Sequence, residues 1–271
     1  MLGVSNTDPL WLFWGQQHMT FLRYMTLRSA CAVHPDVRLV TRDEEIRPPS
    51  ISWAEEQDFM FDRAGIPNWF RNALALPITR VPLDYIAPEI AAIRADDLHT
   101  ADLLKWWTLA TTGGTVTDMD VMFFRSLPPI EADVQTVSWP ESWGIGRMPM
   151  AFIQGRPCSI WMDAYRLALA NYSQNDYFSA GCTAIGFDTD QGVRLPDRIV
   201  TPWAGVEPPE KWSEFTFDSE TWPAIPDECV GIHWQAGANQ HWNKRTDNWQ
   251  YLRPGALREV IGRIEPRGGN P

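Results

Sequence analysis

The sequence predicts an α/β fold, and three stretches carry that prediction. Leu10-Trp11-Leu12-Phe13-Trp14 is a short apolar run ending at Gly15, the pattern of a strand buried on both faces in a parallel sheet. His18 to Ala32 follows with an apolar helical side built from Met19, Phe21, Leu22, Tyr24, Met25, Leu27 and Cys31, and Pro35 ends it. Val37 to Val40 then reads as a second strand, so residues 10–40 form a strand–helix–strand unit. The third stretch, Thr100 to Thr117, reads as a buried helix, a two-glycine stop and a short β-branched strand.

Bulk composition narrows the class. A chain of 271 residues fits one large domain or two small ones, and 44% hydrophobic residues suffice for a sizeable core. The net charge of −11 argues against broad binding to nucleic acid or anionic lipid, which needs a basic surface. Cys31, Cys158, Cys182 and Cys229 are far apart and form no CxxC pair, so reduced thiols are expected rather than a zinc site or a disulfide framework. Leu10 to Trp14 is too short for a signal-peptide core, and no run approaches the ~18 apolar residues of a membrane helix. A soluble, cytoplasmic protein is the expectation. The fifteen tryptophans read mainly as packing, but indole faces also suit flat rings and sugars.

The remaining elements follow in order. Arg42-Asp43-Glu44-Glu45 reads as a solvated loop and Ser52 to Ala64 as a helix. Leu83 to Arg94 gives only short pieces between prolines, and about 41–99 could insert over a site. Thr100 is the expected N-cap of the helix that ends at Thr112. Thr136 to Gly155 reads as a loop or strand pair, with Ile153 to Pro157 as its turn. Ser159 to Ala170 is an amphipathic helix whose Ile160, Trp161, Ala164, Leu167 and Ala168 face inward. Residues 201–227 look irregular, Val230 to Trp234 is a late strand carrying His233, Gly255 to Ile264 is a closing helix, and a loose tail begins at about 265.

Chemistry concentrates after the two glycines. Asp118 and Asp120 end the strand Thr115-Val116-Thr117, and Val121-Met122-Phe123-Phe124 follows at once. In extended backbone, residues i and i+2 point to one side, roughly 6.5–7 Å apart. Carboxylates flanked by buried strand are costly unless paired or metal-bound. An all-oxygen site with few protein ligands suits Mn²⁺ or Mg²⁺ completed by phosphate oxygens. On the preceding helix Asp102 and Lys105 share a face; alone they read as an i,i+3 ion pair. Trp14 lies at a strand's carboxyl end, where α/β folds bind ligands, and reads equally as core or as a platform for a base.

Taken together, Ala101-Asp102-Leu103-Leu104-Lys105-Trp106-Trp107, Gly113-Gly114 and Asp118-Met119-Asp120-Val121 resemble the "SDxxR…GG(I/V)YxDxD" block of the DXD sugar-binding glycosyltransferases. That family includes bacterial toxin glucosyltransferases, fungal Golgi mannosyltransferases and capsular polysaccharide synthesis proteins. Leu10 to Gln16 is similar to the family's first strand, and Ser126-Leu127 also fits. The resemblance covers about a third of the chain, mainly 10–40 and 98–128.

The resemblance implies a single GT-A-type nucleotide-binding domain over 1–271, with a mostly parallel central sheet flanked by helices. It implies a metal-dependent, retaining hexosyltransferase that uses a UDP- or GDP-sugar, with Mn²⁺ ahead of Mg²⁺ and no acceptor identified. Trp14, with Gly15 and Gly114, would face the nucleotide; Asp102 would bind sugar hydroxyls, with Lys105 in the arginine's place. Asp118 would touch ribose and sugar, directly or through the metal, Asp120 would ligate the metal, His233 would join it, and Trp242 would close over the diphosphate. His241 stands where the family has serine and competes with His233 for the metal. A non-catalytic sugar- or nucleotide-binding protein on the same fold is the alternative.

Overall fold

The computed structural model describes residues 7–44, 67–137, 151–176, 179–181, 192–204, 206, 211–234 and 254–264. The chain runs β1 (Leu10–Trp14), α1 (Phe21–Val33), β2 (Val37–Thr41), α2 (Phe70–Leu74), β3 (Thr79–Pro82), α3 (Leu83–Ile86) and α4 (Pro88–Ile93). It continues through α5 (Asp97–Thr111), β4 (Gly114–Thr117), β5 (Val121–Phe123), β6 (Val134–Val137) and β7 (Phe152–Gly155). The last elements are α6 (Ser159–Asn171), β8 (Val193–Leu195), α7 (Lys211–Phe217), β9 (Gly231–His233) and α8 (Ala256–Ile264).

Seven strands form the central sheet in the order β3-β2-β1-β4-β7-β6-β8. The contacts β3–β2, β2–β1, β1–β4 and β6–β8 are parallel, and β7 runs antiparallel to both its neighbours. The sheet is therefore mostly parallel, and the strand–helix–strand reading of residues 10–40 holds. β1 shows why its sequence is apolar throughout. Leu10, Leu12 and Trp14 enter one core with α1, α2, α7 and α8, while Trp11 and Phe13 enter a second core with α3, α4, α5 and α6. The period-2 alternation feeds both faces, so no position can be polar. Trp11, Trp14, Trp106, Trp161, Trp203, Trp212 and Trp234 are all buried, which gives the packing reading of the tryptophans its substance.

Several local expectations need correction. The α5 N-cap is Asp96, not Thr100: its Oδ1 accepts from the backbone N–H of Leu98 at 2.9 Å and of His99 at 3.1 Å. The helix thus starts a turn earlier, and the Thr100 hydroxyl instead donates to the Ala95 carbonyl. Arg42 is buried rather than solvated. It lies over the Phe13 ring, donates to the Ala95 carbonyl at 2.9 Å and sits 3.5 Å from Asp97. Ile153 to Gly155 belongs to β7 rather than to a turn, Leu167 on α6 is 47% exposed rather than inward, and α7 interrupts the segment read as irregular. α1 begins at Phe21, three residues later than expected. Thr79–Pro82, within the segment that could insert over a site, is the edge strand of the large sheet. The expected helix at 52–64 and the tail from 265 lie outside the described residues.

The cap of α5 carries a second interaction with a measurable consequence. Buried His99 places Nδ1 2.7 Å from Asp96 Oδ2 and Nε2 2.9 Å from the Asp176 carbonyl, so both nitrogens face acceptors and the imidazolium satisfies both. Burial alone lowers its pKa, but the Asp96 carboxylate and the Asp176 carbonyl outweigh it, and the net shift is upward from 6.5. A raised folded pKa gives stability that is fully present below the unfolded value and is lost as pH rises through the folded one. The melting temperature of the wild type is therefore expected to fall by a few degrees from pH 6 to pH 9 relative to His99→Gln. Parallel curves for the two proteins would refute the pairing.

Candidate functional site

The site forms where the chain leaves the large sheet. α5 ends when Gly113 enters the left-handed region (φ 73°) and its N–H reaches back to the Thr108 carbonyl at 2.9 Å. Gly114 follows at φ 109°, and a Cβ there would stand 2.3 Å from the Pro9 carbonyl oxygen. Only glycine fits both positions, and together they aim β4 between β1 and β7. After Thr117 the strand stops. Asp118 to Val121 make a turn, with the Val121 N–H 3.4 Å from the Asp118 carbonyl. The two acids are thus held by a turn and not by extended backbone. Among the described residues β5 then pairs only with β9, antiparallel, in a separate two-stranded sheet that sets Val121 opposite His233.

That register brings the late histidine to the acids. His233 Nε2 lies 3.3 Å from Asp120 Oδ1, and the Trp234 N–H donates to the Asp120 carbonyl at 2.9 Å. One ligand atom each of Asp118, Asp120 and His233 lies within 4.8 Å of the others. Two carboxylate oxygens and one imidazole nitrogen converging this closely fit a divalent cation that keeps open positions for other oxygens. Burial lowers the His233 pKa, but the charges of Asp120 and Asp118 more than reverse that, so the net shift is upward.

Lys105 joins this cluster to α5. Its Nζ donates to Asp102 Oδ1 at 3.1 Å and also pairs with Asp118 Oδ1, so the i,i+3 pair is one half of a three-residue bridge between helix and strand end. Burial opposes the Lys105 charge, but Asp118 and Asp102 outweigh it and hold its pKa up. The Asp102 side chain is 12% exposed and that of Asp118 is 31%, so Asp118 forms the mouth and Asp102 the floor. Burial raises the Asp102 pKa, the Asp118 charge raises it further, and Lys105 offsets only part of this.

Of the residues singled out in the sequence, Asp102, Lys105, Asp118, Asp120 and His233 come together. Trp14 lies at the carboxyl end of β1, 7% exposed, donating from Nε1 to the His18 carbonyl at 3.2 Å. Gly15 packs so tightly on Asp97 that a Cβ would fall 2.0 Å from its Oδ1. Gly114 sits at the amino end of β4, the opposite end from Asp118. His241 and Trp242 lie outside the described residues. One residue without a sequence signal, Arg23, joins the site. Arg23 on α1 reaches Asp120 Oδ2 at 4.0 Å, and its guanidinium lies over the rings of Trp14 and Trp234, 5.7 and 5.0 Å from their centroids. A small cavity of ≈ 30 Å³, room for one or two waters, separates Lys105 and Asp118 from Trp11, Phe13 and Val116.

No protein-family model and no curated protein matches the sequence. Several solved structures are similar at low identity. The PaToxG glycosyltransferase is 13% identical with a TM-score of 0.43, over 67% of each chain. Two structures of the glycosyltransferase GlyE from Streptococcus pneumoniae TIGR4, one of them the apo form, are 11% and 12% identical, each with a TM-score of 0.49. They align with 97% and 96% of this chain, which spans 61% of the GlyE length.

Proposed function

We propose that the chain is a glycosyltransferase that takes a sugar from a nucleoside-diphosphate sugar, with a divalent cation, Mn²⁺ ahead of Mg²⁺, held by Asp118, Asp120 and His233. The observation that carries this reading is the convergence of those three side chains from the β4–β5 turn and β9, against the Lys105 bridge. When bound, the cation neutralises charge that develops on the departing diphosphate. The protein's own part is positional. Asp120 is fixed through the Trp234 N–H and the neighbouring His233. Asp118, at the mouth, is the carboxylate that reaches ribose or sugar. Asp102, on the floor, accepts from sugar hydroxyls through the oxygen that Lys105 leaves open. Lys105 holds the two carboxylates in register and replaces an arginine's planar fork with a point charge, which bears on donor choice. Among the described residues the site has no side chain placed as a separate base, which is compatible with transfer that retains configuration at the anomeric carbon.

The test is a panel of UDP- and GDP-sugars with Mn²⁺, scored by released nucleoside diphosphate and by the anomeric configuration of the product. Release from one donor, dependent on Mn²⁺ and lost with EDTA, is expected. Tight Mn²⁺-dependent binding without release from any donor, with water or simple sugars as acceptors, would instead favour a non-catalytic sugar-nucleotide-binding protein.

A further inference from the structure

Arg23 has no place in the mechanism above, yet it is the second fixed cation of the site. Its planar guanidinium lies over Trp14 and Trp234, and both indoles are pinned. Trp14 Nε1 donates to the His18 carbonyl at 3.2 Å and Trp234 Nε1 to Thr26 Oγ1 at 3.1 Å. A guanidinium stacked on two anchored rings loses little freedom and stays where it is. From there Nη1 stands 4.0 Å from Asp120 Oδ2, while His233 stands 3.3 Å from Oδ1. Asp120 therefore has a positive or proton-bearing group beside each oxygen.

Among the described residues, Asp102, Asp118 and Asp120 meet the two cations Lys105 and Arg23, with His233 beside Asp120. A site so nearly balanced gains little from a divalent cation alone, because the fixed guanidinium opposes further positive charge on Asp120. A diphosphate brings the missing negative charge. Resting on the reading that this is a cation and sugar-nucleotide site, we propose that Arg23 keeps its cation affinity low until a diphosphate arrives, so that cation and diphosphate bind as a coupled pair. Coupling is reciprocal: each tightens the other by the same factor. Arg23 is thus a positioning residue, acting through Asp120.

The experiment titrates Mn²⁺ into the purified chain and follows free Mn²⁺ by electron paramagnetic resonance, alone and with UDP or GDP. Wild type is expected to bind Mn²⁺ alone weakly, and at least about tenfold more tightly with one of the two nucleotides. Arg23→Met, a neutral side chain that still fills the space between the indoles, is expected to tighten binding of Mn²⁺ alone by about tenfold and to shrink the nucleotide's effect. Arg23→Lys, which keeps the charge, stays close to wild type. Circular dichroism checks the fold, and Arg23→Gln serves as the neutral variant if Arg23→Met does not fold. Equal affinity for Mn²⁺ alone in wild type and the neutral variant overturns this inference and leaves the proposed function standing. No Mn²⁺ binding by wild type with or without either nucleotide overturns the functional reading and this inference with it.

Discussion

Lys105→Ala is expected to be among the most destabilising single substitutions in the chain. The ammonium lies between Asp102 and Asp118, with its side chain 7% exposed. Removing it leaves two carboxylates facing each other with no cation between them, a loss of about 3–5 kcal/mol for a broken buried pair. That is a large part of the roughly 5–15 kcal/mol that holds an ordinary domain together. Because burial already raises the Asp102 pKa, mild acidification is expected to return part of the stability of Lys105→Ala as Asp102 takes up a proton. Asp102→Asn in the Lys105→Ala background should rescue it further, since the repulsion is removed. Urea denaturation of wild type, Lys105→Ala and the double variant at pH 5 and pH 7.5 measures this; a Lys105→Ala protein as stable as wild type at both pH values refutes the bridge. Lys105→Arg keeps the charge, so its expected effect is on the donor profile far more than on stability.

Asp120→Asn has the opposite profile. It removes the carboxylate that both His233 and Arg23 approach and leaves the side-chain volume unchanged. The backbone carbonyl that accepts from Trp234 is untouched, so the turn and the small sheet persist. Turnover is expected to fall by about 10³, the size of effect seen when one element of leaving-group stabilisation is lost. The circular dichroism spectrum should not change, and Mn²⁺ binding should weaken in parallel. Full turnover by Asp120→Asn at saturating Mn²⁺ would sink the assignment of the metal site.

The parts legible in the sequence share a physical cause. β1, α1, β2 and the Gly-Gly stop are specified by local pattern and backbone sterics, which need no knowledge of distant residues. His233 was singled out through the resemblance, which implies a late histidine beside the acids; the short strand alone does not say what its histidine meets. Thr100 misled because Thr and Asp are both good caps; Asp96 wins because starting there also buries His99 against its carboxylate. Arg42 misled because a run of charges ordinarily faces water, whereas this one begins at the carboxyl end of β2, beside the Ala95 carbonyl and Asp97. Nothing local marks Arg23 among the apolar residues of α1, because its partners come from β1, the β4–β5 turn and the residue after β9. The reach of Lys105 to Asp118 likewise depends on how α5 lies over β4.

The separate two-stranded sheet gives the site an order of assembly. The large sheet places Asp118, but His233 arrives only when β9 pairs with β5, two segments far apart in sequence. A nascent chain that has not yet reached β9 therefore holds its acids without the histidine. The register of that pairing matters equally: a slip of one residue would turn His233 to the other side of its strand and dismantle the cluster without unfolding anything else.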